Sequence, residues 1–402
     1  MAFQYCRKCV MPNTKPDLFF DEDGVCDACS SAEMKSNEID WDARRKEFEE
    51  TIEKYRNNSE SNYDCIIPVS GGKDSHYQTY MAKMVYGLNP LLVHFEPTRR
   101  NSLGRKNLEN IKKAFGVDMV VVEKNPVVYK KMNIEGFRRV GDHDWPNHID
   151  IFTSPVRAAV QQNIPFILWG ENSQLEYGGP KVARMKNVLD RRWLEEFGGL
   201  LGFRVEDMIG INGVTKGDLI PYMYPSDEEL KRVGVTGLFL GYYFKWDARK
   251  QVEIVRRHGF SIKEDGPVGG TYTNYENLDD NLVAIHDYMK FVKFGFGRTT
   301  DHACLDIRNG YLGRKEAVEL IKKYDGKLPH KAVKEFLDFF EMSEEEFSRI
   351  VDSFTNKALF KTNNKGDLVR DSEGNLVKRY QDYGSGLPLS IRKNMPAEAV
   401  QQ

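Results

Sequence analysis

From Asp64 onward the chain alternates short apolar runs with amphipathic stretches. The runs CIIPVS (65–70), LLVHF (91–95), MVVVE (119–123) and PFILWG (165–170) are aliphatic or β-branched at consecutive positions. Strands covered on both faces have this pattern, and such strands belong to parallel sheets. Between them SHYQTYMAKMVYG and GRKNLENIKKAFG read as helices, closed by Gly87 and Gly116 as C-terminal stops. The alternation predicts an α/β fold with a doubly wound parallel sheet, its ligand at the carboxyl ends of the strands.

Outside that stretch the periodicity changes. An earlier helix is predicted over WDARRKEFEETIEKYRNN, where Trp41, Phe48, Ile52 and Tyr55 recur at helical steps. Residues 171–240 are rich in Gly, Asn and Tyr and predict long loops with short helices, a length that points to function. From Trp246 to about Phe354 the chain is predicted mainly helical, with Ser343 as an N-cap and Glu346 completing a capping box. The tail GDLVRDSEGNLVKRY alternates around Glu373-Gly374 and predicts a surface hairpin. Three regions follow: a Cys-bearing segment (1–35), the α/β domain with its loop insertion (36–240) and a helical C-terminal region (241–402) that completes the acceptor site.

Composition narrows the classes. A chain of 402 residues is long enough for two or three compact units, and 40% apolar residues supply their cores. A net charge of −2 weighs against a nucleic-acid partner, which is normally held by a basic surplus. The opening MAFQYCRKCVMPNTKPD lacks a signal-peptide core, and no window approaches the roughly eighteen apolar residues of a membrane span. A soluble, cytoplasmic protein is expected.

The densest chemical signal is Pro68-Val-Ser-Gly-Gly-Lys-Asp-Ser75, set between a buried strand and a helix. Gly71 and Gly72 let the backbone curl so that successive N–H groups face one anion at a helix N-terminus. Ser70, Lys73 and Ser75 add hydroxyls and a cation; Asp74 must hydrogen-bond the loop or meet a cation. A Walker loop needs four residues between its first Gly and Gly-Lys-Ser/Thr, so this is a different phosphate loop.

The second signal is cysteine. Cys6-Arg-Lys-Cys9 and Cys26-Asp-Ala-Cys29 form two CxxC pairs with sixteen residues between them. Two such knuckles can close a tetrahedral thiolate site with no open position, hence a structural one. Zinc is expected there, two disulfides or an iron–sulfur cluster being the alternatives. Cys65, inside a strand, reads as core, and Cys304 as an inert thiol or a nucleophile.

SGGKDS resembles the PP-loop of the ATP pyrophosphatase superfamily, whose members cleave ATP to AMP and pyrophosphate. That resemblance implies substrate adenylation, with magnesium beside the triphosphate. It places Ser70, Gly71, Gly72, Lys73, Asp74, Ser75, His94, Phe95 and Gly170 around ATP, and Lys73, Asp74, Glu171 and Glu176 at the reaction centre. Nearly the whole chain resembles the N-acetyl sugar amidotransferases of surface-polysaccharide synthesis. The likeness rests on Cys-Arg-Lys-Cys-Val-Met-Pro-Asn-Thr, Gly24-Val-Cys-Asp-Ala-Cys29 and the PP-loop, then on Trp169-Gly-Glu-Asn172, Glu176-Tyr-Gly-Gly179, Leu240-Gly-Tyr-Tyr243 and Phe294-Gly-Phe-Gly-Arg-Thr-Thr-Asp-His302. It implies conversion of an acetamido group of a sugar, in O-antigen, surface-polysaccharide or nonulosonic acid synthesis, into an acetamidino group. Ammonia would come from separate glutaminase and ammonia-channel subunits, since no Cys–His–Glu set of a glutaminase is apparent among the eight His. The acceptor is expected near Asn172, Arg298, Asp301, His302 and Arg308, although an interdomain ion-pair network explains the last four equally. Tyr222, Tyr224, Tyr242, Tyr243, Trp246 and Tyr272 could stack on a sugar or a base, or simply pack. The competing classes are a PP-loop tRNA thiolase, which would need a sulfur donor, and a non-catalytic zinc-knuckle module.

Overall fold

In the computed structural model, which describes residues 3–56, 62–97, 99–179, 188–189 and 200–384, the apolar runs form one six-stranded sheet. The strands are β1 (Cys65–Pro68), β2 (Pro90–Phe95), β3 (Asp118–Val122), β4 (Phe166–Trp169), β5 (Val188–Leu189) and β6 (Thr236–Phe239). Their order is β3-β2-β1-β4-β6-β5, five parallel with β5 antiparallel at the edge. The chain winds outward from β1 through β2 to β3, then returns to the other side of β1 as β4. That reversal opens a crevice at the carboxyl ends of β1 and β4, where open α/β sheets bind ligands.

Side chains obey the strand period of two. Ile67, Leu92, Leu168 and Leu238 face one layer, with Phe48, Ile52, Met81, Leu108 and Ile111. That layer comprises α2 (Trp41–Ile52), α3 (Lys73–Tyr80) and α4 (Ser102–Phe115). Ile66, Leu91, Val93, Ile167, Trp169 and Phe239 face the opposite layer, against Val156 and Ala159. Those two residues lie on α6 (Trp145–Gln162), which follows α5 (Pro126–Val140). Both faces are covered, which is why the strands read as continuous apolar runs.

Five expectations need adjustment. Residues 171–240 hold a full member of the sheet, β6, beside the short helices expected there. The helix predicted over 41–58 ends at Ile52, where Phe48 and Ile52 finish its buried face. In the C-terminal region, helices Ala248–Arg256, Val283–Phe294, Arg298–Arg308, Arg314–Tyr324, His330–Phe340 and Glu344–Phe354 are interrupted by an irregular crossing over 257–282. Ser343 caps as expected by accepting from the Glu346 N–H at 3.1 Å. The Glu346 carboxylate goes to Arg138 at 2.7 Å, leaving the capping box half made. The tail turns back on itself through single bridges, Thr362 with Leu368 and Arg370 with Leu376, but Leu376 is buried, so this hairpin is not purely superficial.

The Cys-bearing segment does not stand apart. Phe3, Val10, Met11 and Leu18 share one core with Ile285, Phe291, Phe336 and Phe360 of the C-terminal region. The described N-terminal segment and C-terminal region thus pack together, beside the helix α1 (Asp27–Asn37) and the short α7 (Ser173–Tyr177) that follows β4.

Candidate functional site

The loop 68–75 leaves the carboxyl end of β1 at the switch point. Gly71 adopts φ +92, and a Cβ there would also meet the Gly104 carbonyl at 3.2 Å, so both backbone and space demand glycine. Ser75 Oγ accepts from the Ser70 N–H at 2.9 Å and Ser70 Oγ from the Gly72 N–H at 3.2 Å, pinning the curl from within. Gly72 is the N-cap of α3 and has no side chain to cap it, leaving the first-turn N–H groups directed at the crevice. The fold and this loop together define a doubly wound α/β protein with a glycine-rich loop at its switch point.

Lys73 opens α3, 2.6 Å from Asp74 Oδ2 and 3.0 Å from Glu276 Oε1. Burial works against its charge, but Asp74, Glu276 and Glu171 outweigh burial and hold the ammonium above the ordinary lysine range. Glu171, just past β4, is pushed up to about 8, first by burial and then by the Asp74 charge. Glu276 is also raised, mainly by burial. Carboxyls from three separate parts of the chain thus surround one lysine at the mouth of the phosphate loop. Sequence reasoning missed Glu276, which lies in the irregular 257–282 crossing and carries no local motif. Its segment is tied down where the Asn101 N–H donates to the Asp279 carbonyl at 3.0 Å.

His94 is wholly buried beside the loop. Its Nδ1 lies 2.8 Å from the Val69 carbonyl, and its Nε2 lies 2.8 Å from Arg100 Nη2 and 3.0 Å from Glu96 Oε2. Arg100 in turn donates to the Ser70 carbonyl at 3.0 Å, so this unforeseen arginine and His94 brace the loop from beneath. Phe95 stacks near His94 at 6.0 Å. The Gly170 carbonyl accepts from the Gly241 N–H at 2.9 Å, which joins the Trp169-Gly-Glu-Asn172 and Leu240-Gly-Tyr-Tyr243 segments. Asn172 is buried and accepts from the Leu175 N–H at the start of α7.

Glu176 is already engaged. Both its oxygens lie 2.7 Å from Lys35 Nζ of α1, with side chains only 5% and 9% exposed. The next turn passes close to α1: Gly178 has φ +90, and a Cβ would meet Leu18 at 2.6 Å and Asp27 at 2.9 Å. Arg308 bridges the same place to the cysteines. Its Nη1 donates to the Glu176 carbonyl at 2.9 Å, while Nη2 lies 3.7 Å from Cys9 Sγ and 3.9 Å from Cys26 Sγ. Arg308 therefore belongs to the knuckle rather than to an acceptor pocket.

Cys6, Cys9, Cys26 and Cys29 are buried with their sulfurs together, Cys6 to Cys29 at 3.9 Å and Cys9 to Cys26 at 3.7 Å. A hydrogen bond from Cys26 draws the Cys6 thiol down to about 7, while the Cys26 and Cys29 thiols are driven up by their sulfur neighbours and burial. The four sulfurs lie close enough together to hold one metal ion between them. Cys304 is buried against Cys9, and burial holds its thiol well above the ordinary range. Cys65 is core in β1.

The remaining polar cluster is internally paired. Arg298 meets Asp287 at 3.0 Å, Lys290 meets Asp301, and His302 Nδ1 shares a hydrogen bond with Thr271 at 2.7 Å. Burial, and after it the Arg298 charge, holds the His302 imidazole well below its ordinary range. Of the aromatic candidates Tyr222, Tyr243 and Trp246 are buried, Tyr224 packs against a core layer, Tyr242 lies under Arg44 and Tyr272 bonds Asp306.

Residues 269–372 match the C-terminal domain family of WbpG-like proteins of lipopolysaccharide (LPS) biosynthesis. An uncharacterised protein of Methanocaldococcus jannaschii is 21% identical over 325 residues, covering 79% of this chain and 93% of its own length. The U34-tRNA thiolase NcsA of Methanococcus maripaludis, solved with its 4Fe-4S cluster, aligns over 86% of this chain and 90% of its own. Its identity is 13% and its TM-score 0.27, too distant a likeness to bear on cofactor or reaction here. Among the described residues no helix is long and apolar enough to cross a membrane.

Proposed function

We propose that this chain is the ATP-dependent synthase subunit of an N-acetyl sugar amidotransferase. It adenylates the acetamido oxygen of the sugar and lets ammonia displace AMP to leave an acetamidino group. One observation carries the reading: Glu276, inside the segment matching WbpG-like LPS-biosynthesis proteins, is ion-paired to the PP-loop lysine. The part of the chain that resembles sugar-polymer biosynthesis therefore closes on the phosphate loop.

The chemistry balances. An amide oxygen is a poor leaving group, so its lone pair attacks the α-phosphorus of ATP and pyrophosphate departs. Ammonia then adds to the imidate carbon, AMP leaves with the former amide oxygen, and one proton is released. Lys73 and the first-turn N–H groups of α3 are placed to stabilise charge on the departing pyrophosphate. Glu171, with its raised pKa, is suited to take a proton from the attacking ammonia. Asp74 and Glu276 would hold magnesium, which when bound would screen the triphosphate from these carboxylates.

Zinc is the ion proposed for the cysteines. Zn–S bonds of about 2.3 Å in a tetrahedron set sulfur–sulfur edges of about 3.8 Å, and the edges here are 3.7 and 3.9 Å. A cubane cluster would spread its thiolates much farther, each on a different iron.

The test supplies ATP, magnesium and concentrated ammonium salt at mildly alkaline pH, with a panel of N-acetylated sugars. The expected products are AMP, pyrophosphate and a cationic sugar in which one oxygen has been exchanged for NH, read by mass spectrometry. Thiolated tRNA with untouched sugars would refute the proposal in favour of sulfur transfer. Adding a partner glutaminase with glutamine should replace the ammonium salt.

A further inference from the structure

We infer that Asp142, His148 and His286 form a second metal site, distinct from the four cysteines, that takes one divalent transition-metal ion. Asp142 lies in the turn between α5 and α6, and His148 lies one turn into α6. His286 comes from helix Val283–Phe294 of the C-terminal region, 144 positions from Asp142.

The donor atoms converge. His286 Nδ1 is 2.9 and 3.0 Å from the two Asp142 oxygens, and His148 Nδ1 is 3.8 Å from Asp142 Oδ2. All three residues offer a ligand atom within 4.8 Å of the others. Ligand bonds of about 2.1 Å give neighbouring donors edges of roughly 3.0–3.4 Å in octahedral or tetrahedral geometry, so these separations need only slight adjustment around an ion. Two imidazoles and a carboxylate form a mixed nitrogen–oxygen set suited to zinc, manganese, iron or cobalt, unlike the all-sulfur set of the knuckle.

The surroundings fix the carboxylate as outer partners do in metal centres. Asp142 Oδ1 also accepts the Asp144 N–H at 2.9 Å, and Asp144 is held by Asn147 at 2.6 Å. The two imidazoles stand nearly perpendicular, at 87°, with centroids 5.2 Å apart. Their side chains are 22% and 21% exposed, while Asp142 is buried, so an ion would sit at the rim with positions left for water or a ligand.

A simple ion pair between His286 and Asp142 would account for the shorter distance. It gives no reason for a second imidazole nitrogen to face the same carboxylate from another helix. An ion shared by all three joins the α5–α6 turn to the helix after the crossing. That crossing delivers Glu276 to Lys73, and its Asp280 is 3.3 Å from the Arg99 N–H. The ion would staple the crossing over the phosphate loop.

The experiment titrates manganese(II) into the full chain with its cysteine site loaded and no nucleotide present. Manganese favours nitrogen and oxygen over thiolate donors, and electron paramagnetic resonance counts the ion left in solution. One bound manganese per chain is expected in the wild type and in Glu171→Gln, with at least tenfold weaker binding in His148→Ala and His286→Ala. Nitrogen-14 couplings of imidazole should appear on manganese bound to the wild type, which decides the matter even if a histidine variant misfolds. No bound manganese, missing nitrogen couplings, unchanged affinity in well-folded histidine variants, or loss of binding in Glu171→Gln would each overturn the inference.

Discussion

Removing one partner of the buried Lys35–Glu176 pair should harm the protein far more than removing both. Lys35→Met leaves the Glu176 carboxylate, 5% exposed, without the ammonium that lies 2.7 Å from both its oxygens. Breaking such a pair on one side costs about 3–5 kcal/mol, because a charge stays buried without compensation. Replacing both partners by apolar groups of similar volume removes attraction and desolvation together and is often close to neutral. Since α1 begins with the second cysteine pair, the loss should appear as local opening of the knuckle. At 1.4 kcal/mol per decade, metal release to a chromogenic chelator should quicken roughly 10²–10⁴-fold in Lys35→Met. The double variant Lys35→Met/Glu176→Met should return to within about tenfold of wild type. A local rate is the better measure, because a chain with several cores need not unfold in one step. If Lys35→Met releases metal no faster than wild type, or if the double variant is as fast as the single, the pair does not hold the knuckle to α7.

Cys26→Ser should lose the metal and unfold the segment around the knuckle, seen as missing metal by elemental analysis and as new protease sites before Asn37. Lys73→Ala should keep its fold by circular dichroism and lose about 10²–10³ in turnover, with AMP as the nucleotide product of the residual activity; ADP would exclude a PP-loop reaction. Glu171 supplies a pH test. Its folded pKa of about 8 exceeds the ordinary 4.5, so the folded state binds its proton more tightly and stability falls as pH rises between those values. Glu171→Gln should flatten that part of the apo-protein Tm profile, and parallel wild-type and variant slopes between pH 5 and 8 would show that Glu171 is not buried as described.

What the sequence made legible was whatever a local pattern encodes. The first four strands declared themselves because each carries a run of consecutive apolar residues, in β1, β2 and β4 through burial on both faces, and the phosphate loop because its shape needs two adjacent glycines. Two CxxC pairs were enough to place four sulfurs together. β6 stayed hidden because a threonine and a glycine break the apolar run of Thr236-Gly-Leu-Phe239, whereas β1 and β4, equally short, are continuous apolar runs. Its membership of the sheet comes from pairing with β4, a long-range fact. The site shows the same division. Glu276 reaches Lys73 from 203 positions away, Lys35 reaches Glu176 across 141, and Arg308 reaches Cys9 across 299. Each of these residues, read alone, is an ordinary surface charge. They become informative only because the described N-terminal segment and C-terminal region share a core, with Arg308 tying the knuckle to the segment after β4. Nature could have built the phosphate loop on the α/β domain alone. Of the carboxyls around its lysine, Glu276 comes instead from the C-terminal region, and the lysine that locks Glu176 comes from the N-terminal segment. Substrate choice and metal content should therefore be linked: a change in either outer region should be felt at Lys73 before the sheet itself is disturbed.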